Sequence, residues 1–205
     1  METIYTIPLN EAFDEGTGCP FCRLTDKLKE DTLEYTLGAA MMEPSVRVEM
    51  NRLGFCRTHF AELAKRKNKL ALALILETRF AELLTKGEGA LSDGCFVCGK
   101  INNVEAHYLS NAANMFSKDP AFAAKAAKQE YFCLTHTKAL LTYAKKELKR
   151  KQYDALRETI FSVESKYLAQ LKVDARKFAD SFDYRNSSEK PGDERFVFDK
   201  ATQVM

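Results

Sequence analysis

All six cysteines and two of the three histidines of the chain fall into two copies of a pattern that can supply metal ligands. Three thiolates and one imidazole form a closed tetrahedral set that zinc commonly takes in structural sites. We therefore predict two zinc ions per chain; an iron–sulfur cluster, which also uses thiolates and sometimes histidine, is the alternative. In each copy a Cys-x-x-Cys pair precedes a Cys-x-x-His pair, and the eight predicted ligands are Cys19, Cys22, Cys56, His59, Cys95, Cys98, Cys133 and His136.

The spacing of these residues predicts the elements that position them. A Cys-x-x-Cys turn brings two sulfurs to one side of an ion, and Cys-x-x-His at the start of a helix places both ligands on one helix face. The gap between the two pairs is 34 residues from Cys22 to Cys56 and 35 residues from Cys98 to Cys133. A helical hairpin fills a gap of this length, so we expect each ion to close its own repeat.

An internal duplication organises the chain. Three landmarks recur in the same order 76 or 77 residues later, namely 18–22 as 94–98, 43–44 as 119–120, and 55–59 as 132–136. We assign residues 1–92 to the first metal-binding repeat with its N-terminal segment and 93–151 to the second. Residues 152–185 follow as a long helix and 186–205 as a linker and terminal arm, and together the four segments are expected to form one compact unit.

The hydrophobic pattern predicts an all-α fold, a helical bundle built from the duplicated hairpin and the long C-terminal helix. Apolar residues recur at helical spacing through most of the chain, and no segment indicates a substantial sheet. Pro44 suits the first turn of a helix that ends at Gly54. A helix over 57–86 is apolar on two sides, which is typical of a central or interface helix. The last long helix is expected near 152–184.

The composition of the chain indicates its cellular compartment and limits the classes of partner that it is expected to bind. The chain has 205 residues, 45% of them hydrophobic and 29% charged, and a net charge of +2, as in an ordinary globular protein. No apolar run approaches the roughly 20 residues of a membrane span, and the first ten residues lack the features of a signal peptide. We predict a cytoplasmic protein with no membrane partner, in which reduced thiols favour metal binding over disulfides.

Three segments, at 4–13 (IYTIPLNEAF), 19–22 (CPFC) and 54–59 (GFCRTH), carry a resemblance to known sequences. With them, about residues 4–150 resemble an uncharacterised family of bacterial proteins, often from anaerobes, with duplicated Cys-Pro-x-Cys and Gly-Phe-Cys-x-x-His motifs. The second repeat departs from this pattern, because Phe96 replaces the proline and Tyr131 replaces the glycine. The resemblance implies metal sites and a bacterial origin, and it implies no activity.

Two closed ligand sets predict a non-enzymatic interaction or regulatory module, so no catalytic residue is assigned. A thiol or metal sensor is the alternative function. A thioredoxin-like dithiol is disfavoured because no βαβ pattern surrounds the cysteines. A Cys–His nucleophile would need an orienting carboxylate, and none is evident in the sequence. His107 has no counterpart in the first repeat and is expected on a helix surface.

The expected partners are a second copy of the chain and an unidentified protein. The two-sided helix at 57–86 and the near-heptad stripe of 153–182 both favour a homodimer formed by helix packing. Nucleic acid is a less favoured partner. Two basic clusters, at 65–69 and 145–151, lie among acidic residues and lack the interleaved aromatic side chains that stack on bases.

Overall fold

The computed structural model describes residues 3–92, 94–182 and 192–205, and these residues contain ten α-helices and no β-strand. The all-α class is therefore confirmed. In chain order the helices are α1 (Thr6–Asp14), α2 (Pro20–Leu37), α3 (Pro44–Leu53), α4 (Arg57–Lys65), α5 (Lys69–Lys86), α6 (Phe96–Lys118), α7 (Pro120–Ala127), α8 (Leu134–Glu147), α9 (Arg150–Asp180) and α10 (Val197–Val204).

Helix ends follow the local residue chemistry. Helix α3 begins at Pro44 and ends before Gly54, whose φ of +66° lies in the region that favours glycine. The Gly54 N–H donates to the carbonyl of Met50 at 2.8 Å, which satisfies one of the last carbonyls of the helix. Helix α7 begins after Asp119, whose carboxylate accepts from the Ala121 N–H at 2.9 Å. The predicted helix start at Pro44 is confirmed, and the recurring Asp119-Pro120 step also begins a helix.

The prediction of a single helix over 57–86 is wrong, because the helix is interrupted between α4 and α5. Arg66 adopts extended backbone angles, and Asn68 caps the next helix by accepting from the Ala71 N–H at 3.1 Å. The Asn68 amide also donates to the Leu37 carbonyl at 2.7 Å. Asparagine is favoured at a helix N-cap and disfavoured inside a helix, so these two bonds stabilise the break. The apolar residues of 57–86 are therefore divided between two shorter helices.

The C-terminal part contains the predicted long helix and a docked arm. Helix α9 covers Arg150–Asp180, and α10 packs on it through Phe198, whose ring centroid lies 5.0 Å from that of Phe178. Lys200 Nζ lies 3.4 Å from a carboxylate oxygen of the buried Asp174. The described part of the terminal arm thus contains a short helix that packs on α9. Residues 186–191 of the predicted linker at 186–193 lie outside the described residues.

Packing divides the chain into two compact units, each with its own core. The terminal unit contains the described residues of Met1–Leu24 and His107–Met205, and the central unit contains Thr25–Ala106. The unit boundaries fall inside α2 and α6, so each unit combines parts of both sequence repeats. The core of the terminal unit includes the fully buried Phe21, Phe122 and Phe132, and that of the central unit includes Leu63 and Phe96.

The described helices include none that is both long and apolar enough to cross a membrane.

Candidate metal centres

The eight predicted ligands come together as two groups of four, one in each compact unit. Within each group the possible ligand atoms all lie within 4.8 Å of one another, so both groups can hold a metal ion. The first centre, in the terminal unit, consists of Cys19, Cys22, Cys133 and His136. The second centre, in the central unit, consists of Cys56, His59, Cys95 and Cys98.

The expectation that each ion closes its own repeat is wrong. The Cys-x-x-Cys pair of the first repeat meets the Cys-x-x-His pair of the second, and the remaining two pairs meet each other. The chain that follows α2 does not bring Cys56 back to Cys22. Instead, α1 and α7 bring Phe13 and Phe122 together in the core of the terminal unit, with ring centroids 4.6 Å apart, and this core holds Cys19 next to Cys133.

In the first centre the starts of two helices supply the ligands. Cys19 precedes the first residue of α2 and Cys22 lies in its first turn, while Cys133 caps α8 and His136 lies in the first turn of α8. Two hydrogen bonds join the loops that precede these helices. The Gly18 N–H donates to the Glu130 carboxylate at 2.6 Å, and the Glu130 N–H donates to the Gly16 carbonyl at 3.2 Å.

The second centre repeats this arrangement with α6 and α4. Cys95 precedes α6 and Cys98 lies in its first turn, while Cys56 caps α4 and His59 follows in its first turn. The Phe96 N–H donates to the Gly54 carbonyl at 2.9 Å and joins the two ligand-bearing turns.

The exchange of half-sites accounts for two differences between the repeats, Phe96 in place of Pro20 and Tyr131 in place of Gly54. Phe96 faces Gly54 in the second centre, where its N–H makes the bond just described; a proline there has no N–H to donate. In the first centre Pro20 and Tyr131 occupy the positions that Phe96 and Gly54 occupy in the second. Tyr131 does not share the positive φ of Gly54, because no residue other than glycine has a positive φ among the described residues. Tyr131 packs on Tyr167 with ring centroids 4.5 Å apart and donates to Gln203 at 3.2 Å.

The distances within both centres suit a tetrahedral zinc ion. Zn–S and Zn–N bonds of about 2.3 and 2.0–2.1 Å require S···S separations of about 3.8 Å and S···N separations of about 3.6 Å. The Sγ atoms of Cys22 and Cys133 lie 3.6 Å apart, and those of Cys56 and Cys98 lie 3.9 Å apart. His136 Nδ1 lies 3.0–3.8 Å from the three sulfurs of its centre, and His59 Nδ1 lies 3.3–3.5 Å from the three of its own.

The thiols of each centre differ in how readily they ionise. Burial and the neighbouring Cys95 raise the pKa of Cys98 to about 12, whereas hydrogen bonds from the His59 N–H and neighbouring thiols outweigh burial and lower the pKa of Cys56. In the first centre, hydrogen bonding with Cys133 raises the pKa of Cys22, and bonds from Cys19 and Cys22 lower that of Cys133. In each centre these interactions thus favour one thiolate, Cys56 or Cys133, and oppose ionisation of a neighbouring thiol. A bound dication removes that opposition, because it stabilises all three thiolates together.

A buried carboxyl group outside the ligand set supports the first centre. Glu164 of α9 is 2% exposed, and its Oε1 accepts from the Thr137 hydroxyl at 2.9 Å. Thr137 directly follows the ligand His136, so this bond joins α9 to the residue beside the Cys133–His136 turn. Burial raises the pKa of Glu164, and the bond from Thr137 and the Phe132 backbone oppose that shift. The sequence shows one signal for this role, a lone acidic residue on the buried stripe between Ile160 and Tyr167.

The third histidine and the basic clusters lie outside both centres. His107, half-buried in α6, stacks on Tyr5 with ring centroids 4.9 Å apart. The first cluster, at 65–69, occupies the break between α4 and α5, where Arg66 forms an ion pair with Glu30 at 2.5 Å. The second, at 145–151, spans the end of α8 and the start of α9, where Arg150 lies 3.4 Å from Asp154. Both clusters are therefore partly neutralised.

Comparison with protein families gives one result. The model described as "Family of unknown function (DUF6062)" matches the chain twice, over residues 1–93 and 85–203. Two matches to one model are consistent with the duplicated landmarks. Comparison with curated proteins and with solved structures finds no match. Because the two matches together cover nearly all of the sequence, the chain belongs to the family of unknown function DUF6062.

Proposed function

We propose that the protein is a zinc-stabilised helical protein with two Cys3His sites that acts as a non-enzymatic interaction or regulatory module. The observation that carries this proposal is the convergence of all six cysteines and two histidines into two groups of four ligand atoms. Zinc accepts thiolate and imidazole ligands in a tetrahedron, and softer or harder metals fit this mixed set less well.

The closed ligand sets support a structural role for the ions. Catalytic zinc keeps a coordination position open for water or substrate, whereas structural zinc has four protein ligands. Each centre supplies four ligands from the first turns and N-terminal caps of two helices, so each ion would join two helix starts that are distant in sequence. Cys19 and His136, for example, are separated by 117 positions.

Elemental analysis of protein purified without oxygen tests the proposal directly. We expect about two zinc per chain, and about one after Cys56→Ser or Cys133→Ser, because each variant removes a ligand from a different centre. Glu88→Ser, a control substitution to serine at an exposed residue outside both centres, should keep two zinc ions per chain. A brown protein that contains iron and inorganic sulfide would support the iron–sulfur alternative instead of zinc. Fewer than two metal ions per wild-type chain would contradict both versions.

A thiol or metal sensor is the second candidate function. It is favoured by the second centre, where Cys56, His59 and Cys98 are only half-buried. Small molecules that remove metal or oxidise sulfur reach such ligands more easily than buried ones. Nucleic-acid binding stays a less favoured role, because the ion pairs of Arg66 and Arg150 use charges from both basic clusters.

We further propose that the chain forms a homodimer through helix packing. On α5, Leu70, Phe80 and Leu84 are 71, 54 and 88% exposed, and on α9 Phe161, Leu168 and Val173 are also exposed. Apolar side chains that recur along one helix favour association with another helix. Light scattering of the metal-loaded protein at micromolar concentration should give twice the chain mass of 23.3 kDa. A mass equal to one chain would refute the dimer.

A further inference from the structure

The two centres differ in how far solvent reaches their ligands. In the first centre Cys19, Cys133 and His136 are 3, 5 and 7% exposed, and only Cys22 is half-buried. In the second centre Cys95 alone is buried, and the other three ligands are half-buried. An oxidant or a chelator must approach a ligand atom before the metal can leave, so the second centre is the more accessible of the two.

The outer hydrogen bonds of the two centres differ in the same direction. In the first centre Glu164 accepts a hydrogen bond from Thr137, the residue that follows the ligand His136. Loss of partners that orient metal ligands typically lowers metal affinity or activity about 10–100-fold. The bond between Glu164 and Thr137 therefore opposes movement of the Cys133–His136 turn away from the ion.

The second centre has a different residue at the matching position. Thr137 follows the ligand His136, and the residue that follows His59 is Phe60, which has no hydroxyl group. The Cys56–His59 turn is held by its own helix and by the bond between Phe96 and Gly54.

We propose that the second centre is a peroxide-sensitive metal site, whereas the first centre is a permanent structural one. The proposal rests on the proposed function, since it requires both centres to hold zinc. Its reacting groups are Cys56 and Cys98, the two half-buried thiols of the centre, whose Sγ atoms are 3.9 Å apart. Their oxidation releases one of the two ions and replaces the metal link between the starts of α4 and α6 by a disulfide.

The oxidation balances with one hydrogen peroxide per site. One thiolate attacks a peroxide oxygen, the O–O bond breaks, and hydroxide leaves to give a sulfenic acid. The second thiolate attacks that sulfur, displaces another hydroxide and forms the disulfide. The two thiolates lose two electrons, peroxide gains them, and two protons convert both hydroxides to water. The ion keeps only Cys95 and His59 as ligands, which is half of its tetrahedral set.

The wild-type protein provides the main test. Protein shown by elemental analysis to hold two zinc is treated with hydrogen peroxide, while a zinc-binding dye and alkylation followed by peptide mass spectrometry follow the reaction. We expect rapid release of one zinc with a Cys56–Cys98 disulfide, and Cys19, Cys22 and Cys133 still reduced. Simultaneous loss of both ions, or earlier oxidation of the first centre, overturns the proposal. A starting content below two zinc instead overturns the proposed function.

A matched pair of threonine variants on α8 tests the outer hydrogen bonds. Thr137→Val keeps the side-chain shape but removes the hydroxyl bonded to Glu164, so release of the first-centre zinc to a chelator should become about 10–100-fold faster. Thr142→Val is the control, because that exposed hydroxyl bonds only the Lys138 carbonyl of its own helix. Equal release rates from the two variants would refute the role given to Glu164.

Discussion

Removal of zinc under reducing conditions should abolish the cooperative thermal unfolding of the protein and most of its helical circular dichroism signal. Structural zinc contributes about 10–16 kcal/mol of apparent binding free energy in zinc-finger peptides. A whole domain is stable by only about 5–15 kcal/mol. Each compact unit contains one centre, so loss of the ions removes a contribution comparable to the total stability of each unit.

The control for that experiment is the choice of metal added back. Zinc should restore the helical signal, whereas magnesium should not, because magnesium takes oxygen ligands in an octahedron. The thiols must stay reduced throughout, so that disulfides do not prevent rebinding. A metal-free protein that keeps its full helical signal and unfolds at the same temperature would show that the ions are not structural.

The ligands and most helix ends can be predicted from single residues. Pro44 and Gly54 define α3 because proline suits the first helical turn and glycine tolerates a positive φ. The eight ligands are identified by residue type and by three-residue spacing, both of which are local properties. By contrast, the break at Asn68 depends partly on the carbonyl of Leu37, which lies 31 positions away. The helical periodicity of 57–86 contains no sign of that distant partner.

The pairing of the half-sites cannot be predicted from spacing. Within the first repeat 34 positions separate Cys22 from Cys56, and in the observed second centre 36 positions separate His59 from Cys95. Chain length alone barely distinguishes these two closures, because the cost of closing a loop grows only slowly with its length. The choice is made by packing, through contacts such as Phe13 with Phe122 and the bonds of Glu130 with Gly16 and Gly18.

Loss of one cysteine should therefore weaken residues that are distant in sequence. We expect Cys133→Ser to lower amide hydrogen-exchange protection at least about tenfold around Leu9–Cys22 and in α8, because these segments share the first centre. Helices α3 and α5, in the central unit, should keep their protection. Cys56→Ser should have the opposite effect and expose the segment around Cys95–Ile101.

A second variant in each centre makes this test specific for the pairing. Cys19→Ser should reproduce the exchange pattern of Cys133→Ser, although 114 positions separate the two cysteines, and Cys95→Ser should reproduce that of Cys56→Ser. If each ion closed its own repeat, Cys133→Ser would instead match Cys95→Ser and leave the segment around Leu9–Cys22 protected. That second pattern would refute the exchange of half-sites, since residues that bind the same ion lose their metal together.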